Sequence, residues 1–205
     1  MSRQALATIA AGILLALIPI FIAHGGYGGD ILVAKEQVGP PFDKSLIYID
    51  RYGIEGATGI ILNKALPENQ RLKLTAFIRD AGIPIGYGGP IGLFDRIIVL
   101  EEKKSAMPGI PLQYRLSDWD DAVRATPNLL DKIRQSIKNG DQHYRVFTGS
   151  VSWSPLQVES EILVRNEWYV LPSSHDLVFQ NGTASQWDAL EREGPVKNKS
   201  KANHS

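Results

Sequence analysis

The 205-residue chain balances 22 Lys and Arg against 22 Asp and Glu, so it lacks the basic excess that a phosphate-neutralising surface requires. It has no cysteine, which excludes disulfides, thiolate nucleophiles, cysteine-ligated zinc and iron–sulfur centres. A hydrophobic fraction of 43% with 21% charged residues is that of a globular chain able to bury one core.

In chain order, the first feature is an uncharged run of 19 residues from Ala5 to Ala23. As a helix it would extend about 28 Å, close to the hydrocarbon thickness of a bilayer. Arg3 and the amino terminus place positive charge on the near side, which favours an N-in, C-out orientation. The run exceeds the roughly 7–15 apolar residues of a secretory signal. Pro19, the glycine-rich exit and the small residues Ala23 and Gly25 nevertheless fit a processing site. An uncleaved anchor and a cleaved signal peptide both stay open. Either predicts a domain at the cytoplasmic membrane through residues 5–23, or in the periplasm after cleavage. The expected organisation is a leader and linker over 1–29, one domain over 30–193, and a polar, disordered basic tail over 194–205. Setting aside Arg3, Lys197, Lys199 and Lys201 leaves 18 basic against 22 acidic groups, so the domain carries about −4.

From Asp30 onward short strands alternate with helices. "ILVA" (31–34), "SLIYIDR" (45–51) and "TGIILN" (58–63) read as strands. "LKLTAFIRDAG" repeats Leu74, Phe77, Ile78 and Ala81 at helical spacing and ends at Gly82. "DRIIVLEE" (95–102) and "IPLQYRLS" (110–117) form a hairpin across Met107-Pro108-Gly109. Thr126 and Pro127 supply an N-cap and first residue for a helix with the face Leu129, Leu130, Ile133 and Ile137, closed by Gly140. "YRVFTG" (144–149) is a strand, 154–165 a helix, "EWYVL" (167–171) and "DLVF" (176–179) strands, and "SQWDALER" (185–192) a closing helix. The class is mixed α/β, with mainly antiparallel connections because short turns join the strand-rich stretches.

The stretch "TGSVSWSPLQVESEI" (148–162) decides most about chemistry. A nucleophile elbow needs Gly-x-Ser-x-Gly, and neither Ser150 nor Ser152 has both flanking glycines. A strand-to-helix corner accounts for more of the residues: Ser154 at N-cap, Pro155 at N1 and Gln157 at N3 make a capping box. Elsewhere, "GYGGP" (86–90) lacks the final glycine and the Lys-Ser/Thr of phosphate loops, and reads as a tight turn. Asp118, Asp120 and Asp121 lack the glycine and distal Glu of a calcium loop and suit a helix start instead. His143 and His175 lack the spacing of a zinc helix, and Ser174-His175-Asp176, being consecutive, cannot converge as a triad. Trp153, Trp168 and Trp187 read as core anchors.

Three blocks carry a family resemblance. "ILVAKEQVGPPFDKSLIYIDRYGIEGATGIILNKAL", "YGGPIG" and "FTGSVSWSPLQVESEILVRNEWYVLPSSHDLVF" are similar to the signatures of the YqgE/AlgH family, bacterial proteins with no established reaction. The likeness covers about residues 31–190. It implies one α+β domain whose bifurcated, mainly antiparallel sheet curls into a pseudo-barrel flanked by helices. Two positions depart: where the family has glycine before Trp and before Gln, this chain has Ser152 and Leu156. The apolar leader is also untypical of a family whose members are mostly cytosolic. The regulator label on some members is a weak guide to activity.

No complete catalytic set is visible, so the expectation is a non-catalytic binding or regulatory module with no cofactor and no metal. Its partner is a protein or small ligand, and its candidate contacts are Asn63, Lys64, Gly88, Gly89, Gln157 and Glu159. The alternative is an enzyme built around Asn63, Lys64, Gln157 and Glu159, recognisable by Glu159 within reach of Lys64 in an open pocket. A DNA-binding regulator is the second alternative; it needs a basic face and recognition helix that the sequence does not display.

Overall fold

A computed structural model describes residues 26–103, 113–179 and 184–193. The apolar run 5–23, the Met-Pro-Gly turn and the tail 194–205 lie outside the described residues. Among those described, no helix is long and apolar enough to cross a membrane. The expected placement at the cytoplasmic membrane or beyond it is corrected on that finding.

The apolar runs are short and nearly continuous because both faces of their sheets are covered. One sheet has five antiparallel strands in the order β8-β3-β2-β1-β9: β1 (Asp30–Ala34), β2 (Leu46–Gly53), β3 (Gly56–Ile61), β8 (Val151–Trp153) and β9 (Trp168–Pro172). The other has four in the order β4-β7-β5-β6: β4 (Ile85–Tyr87), β5 (Ile97–Lys103), β6 (Gln113–Asp118) and β7 (Tyr144–Thr148), with β4 and β7 parallel. Ile31 and Val33 of β1 meet Ile98, Leu100 and Phe147 in a central core between the sheets. Leu32 and Ala34 point the other way, to a second core with Trp153, Val158 and Trp168. The opposite face of the four-stranded sheet, through Val99 and Val146, packs on Ala122, Leu129 and Ile133. Those residues belong to α3 (Trp119–Ala125) and α4 (Leu129–Asn139), which follow the single turns α1 (Glu68–Arg71) and α2 (Ala76–Arg79).

The chain changes sheets at Gly149-Ser150, between β7 and β8. Ser150 and Ile91 exchange backbone hydrogen bonds, at 2.9 and 3.0 Å, and Gly88 N–H donates to Thr148 O at 2.8 Å while its carbonyl accepts from Ile61 N–H at 2.9 Å. The sheets therefore fork at one crossing of backbones. The expected strand-to-helix corner is first a strand-to-strand passage, and the helix comes later. The segment α5 begins at Gln157–Glu159 and continues as a π-helical turn, Ser160–Val164. Half of the expected capping box forms: Gln157 Oε1 accepts from Ser154 N–H at 3.0 Å. Ser154 does not cap, because Leu156, with φ 61°, is in the left-handed region. This is one of the two positions where the family has glycine. Leu156→Gly is accordingly expected to be more stable than Leu156→Ala by about 1 kcal/mol in urea denaturation, the reverse of the order in a helix interior. Ala retaining the lead would contradict it.

Three other expectations change. Thr126 ends α3 instead of opening α4, whose N-cap is Asn128 at φ 56°. The helix through Phe77 is reduced to one turn, and Phe77 is exposed while Leu74, Ile78 and Ala81 are buried. "DLVF" lies within a helix, α6 (His175–Phe179), since Ser174 Oγ accepts from Leu177 N–H at 3.3 Å and caps its first turn. A run as short as Asp176-Leu177-Val178-Phe179 cannot by itself separate a strand from a helical turn. The final helix, α7 (Ala184–Glu193), delivers Trp187 to the central core.

Candidate functional site

The six candidate residues fall in three settings. Asn63 is buried, and its side chain accepts from Leu46 N–H at 2.8 Å and donates to Lys44 O at 2.7 Å. That satisfies loop backbone. Next to it in sequence, Lys64 Nζ donates to Pro41 O at 2.7 Å and to Asp43 Oδ1 at 3.1 Å. Gly88 and Gly89 are buried at the fork, where the backbone itself makes the contacts. Gln157 and Glu159 belong to the outer core: Glu159 accepts a hydrogen bond from Tyr52, and Gln157 Nε2 donates to Glu161 Oε1 at 2.9 Å. Burial and the Glu159 carboxylate push the Tyr52 phenol far above its ordinary value. Lys64 and Glu159 thus have different partners, and the pairing that would mark the first enzyme alternative is not made.

Glu161 gathers the block 153–168. Its Oε2 accepts from the indoles of Trp153 at 2.9 Å and Trp168 at 3.0 Å. Its Oε1 accepts from Gln157 and, at 2.8 Å, from Arg165. The two tryptophans and Glu161 are each less than 8% exposed. The motif that reads as a family signature is therefore a buried, fully occupied carboxylate clamp holding α5 to β8 and β9.

Two of the openings place unusual charged groups on their walls and are candidate sites. The first is a cavity of about 200 Å³ whose walls include Leu62, Lys64, Ile85, Ile133, Ile137 and Arg145. Arg145 enters from β7, donates to Leu62 O and Val178 O at 2.6 Å each, and lies 4.8 Å over the Phe147 ring. Among the described residues no carboxylate pairs with it, and burial lowers its guanidinium to about 10. A cation confined among apolar groups without a counter-charge is costly, and an entering anion relieves the cost. Sequence reading passed over Arg145 because one arginine at a strand start carries no pattern.

The second opening is a polar cleft of about 280 Å³ at the fork, lined by Asp50, Thr58, Arg96, Ser117, Asp118 and Ser150 among others. Arg96 crosses it, donating to Asp118 Oδ1 at 2.8 Å and Ser150 Oγ at 3.3 Å. Burial lifts the Asp50 carboxyl above its ordinary value, against the lowering pull of Arg51, the Leu116 N–H and Arg96. The register shift between Ile49 and Arg51 marks a bulge at Asp50.

Comparison with known proteins agrees with this architecture. Residues 31–198 match the family described as AlgH-like. A UPF0301 protein of Cronobacter sakazakii is 32% identical over 159 residues, covering 72% of this chain and 80% of the relative. The UPF0301 protein YqgE of Escherichia fergusonii is 31% identical over 158 residues, with 72% and 80% covered. The solution structure of the AlgH protein from Pseudomonas aeruginosa superimposes with a TM-score of 0.55 at 20% identity, over 88% of this chain and 96% of that one, which shows the shared fold. By sequence match, the chain belongs to the AlgH-like family.

Proposed function

We propose that the protein is a non-catalytic binding module for a small organic anion, a carboxylate on a short apolar body, taken up beside Lys64 and Arg145. The observation that carries this reading is the Arg145 guanidinium, tied to two backbone carbonyls but to no acid among the described residues, on the wall of an apolar cavity. The volume, about 200 Å³, is below the roughly 300–1,000 Å³ of pockets for drug-sized ligands, so the ligand has few heavy atoms. Isoleucines would cover its body and the planar guanidinium would take its charge. A nucleic-acid reading receives less support, because the domain is slightly acidic and the exposed charges of α4 include both Asp131 and Lys132.

An enzyme is the second reading, and the fork cleft suits it better than Lys64, because the raised Asp50 carboxyl stands with Arg96 and Ser150 there. One titration separates the two. Butyrate is expected to shift the methyl resonances of Ile133 and Ile137 saturably, whereas butanol is not. The response should disappear in Arg145→Gln, weaken in Lys64→Ala and persist in Asp50→Asn, with each variant shown folded by circular dichroism. Equal responses to butyrate and butanol, or none, would refute the anion site.

A further inference from the structure

Glu102, His143 and His175 are far apart in sequence and meet in the fold. Antiparallel pairing of β5 with β7 places Glu102 beside His143: Glu102 N–H donates to His143 O at 3.0 Å, and Glu102 Oε2 lies 2.5 Å from His143 Nδ1. His175, the first residue of α6, reaches the same point from the chain leaving β9. One ligand atom from each of the three lies within 4.8 Å of the others. The Glu102 side chain is 8% exposed, which separates it from the solvated acids of the surface.

Asp141 and Phe179 orient the two imidazoles. Asp141 Oδ2 lies 2.9 Å from His143 Nε2, the carboxylate–histidine arrangement that fixes a tautomer and strengthens the other ring nitrogen as a ligand. The His175 ring is stacked on Phe179 at 5.1 Å, which sets its plane. An independent observation points to the same place. Tyr114 is 7% exposed, and its hydroxyl has no hydrogen-bond partner among the described residues. The register of β5 with β6 sets Tyr114 directly opposite Glu102, so the two side chains share one side of the sheet. A simple His–Glu ion pair would need Glu102 and His143 alone. It gives the Tyr114 hydroxyl no partner among the described residues, and leaves His175 only its contacts with Phe179 and, at 3.8 Å, with Asp176 Oδ1.

We propose that Glu102, His143 and His175 form a binding site for a divalent metal of the zinc class, with an open coordination position on the side of the Tyr114 hydroxyl. Two imidazoles and one carboxylate are a donor set that zinc accepts, with bonds of about 2.0–2.2 Å and ligand atoms therefore roughly 3.3 Å apart. The 2.5 Å Glu102–His143 contact opens slightly to admit the ion. A water in the fourth position would give the Tyr114 hydroxyl a partner.

The test uses the full chain, stripped of metal and titrated with Zn²⁺ by calorimetry and with Co²⁺ by visible absorption. Expected are one ion per chain, Co²⁺ bands of a low-coordinate site displaced by Zn²⁺, and joint movement of the His143 and His175 ring-nitrogen resonances. Asp141→Asn should weaken Zn²⁺ binding by about 10–100-fold, the usual loss for an outer-shell partner. His175→Ala should weaken it further while retaining the parent circular dichroism. His24→Ala/His204→Ala, which removes the other two histidines, should bind as the parent does. Binding that survives His175→Ala, that vanishes with the terminal histidines, or that never saturates would overturn the assignment. Should His175→Ala fold poorly, the ring-nitrogen shifts of the parent decide: movement of His143 and His175 upholds the site, and their silence rejects it.

Discussion

Replacing Glu161 by alanine is expected to destabilise the domain by about 3–5 kcal/mol, the cost of removing one member of a buried charged network. Three donors beside it, the Trp153 and Trp168 indoles and the Gln157 amide, would lose their acceptor in a place that water reaches poorly. Each buried unsatisfied donor costs about 1–3 kcal/mol, and the losses overlap because the donors share one carboxylate. At about 2–4 °C per kcal/mol for a domain of this size, the melting midpoint should fall on the order of 10 °C. Glu161→Gln keeps the shape and one acceptor oxygen, so it should lie between the parent and Glu161→Ala. Arg165, about half exposed, contributes through a solvent-screened pair, and Arg165→Ala should cost less than either. Thermal melts of the three variants suffice. A Glu161→Ala midpoint within 2–3 °C of the parent, roughly 1 kcal/mol, would show that the clamp is dispensable.

Gly149→Ala is the second large effect. Gly149 has φ 73°, and a Cβ there would stand 2.1 Å from the Gly89 carbonyl oxygen. Backbone cannot yield as a flexible side chain can. The methyl group must therefore part the two strands at the fork or force the left-handed residue out of its conformation. Steric overpacking and lost junction hydrogen bonds together are expected to cost at least about 3 kcal/mol. Gly39→Ala is the matched control: Gly39 is exposed and a Cβ there meets nothing within 4 Å, so stability should change by no more than about 0.5 kcal/mol. Urea midpoints for the pair would expose an error directly, because equal midpoints would mean that the crossing tolerates a side chain. The same geometry gives Gly88 and Gly89 a structural reason to be glycine, independent of any ligand.

The strand runs were legible because they are apolar and β-branched, and the family blocks because their residues keep long, specific spacings. "ILVA" became β1, "IIVL" the heart of β5 and "RVFT" most of β7, as their composition required. The Leu129 and Ile133 face of α4 and the terminating Gly140 were equally plain, since helical periodicity and a left-handed cap are local properties. Local chemistry was less reliable at boundaries. Thr126-Pro127 carries the letters of a helix start, yet the chain first ends α3 there and turns through Asn128.

The sequence by itself determined most of the strands, the core face of α4, the balance of charge and the absence of cysteine chemistry, because each depends on residue type or short-range spacing. Tertiary structure alone decided the sites. Glu161 with two tryptophans, Arg145 with no acid partner among the described residues, and Glu102 with His143 and His175 are assembled by strand pairing and by a fork between two sheets. Such convergence depends on which backbones lie about 5 Å apart across a sheet, and no periodicity along one chain encodes that distance.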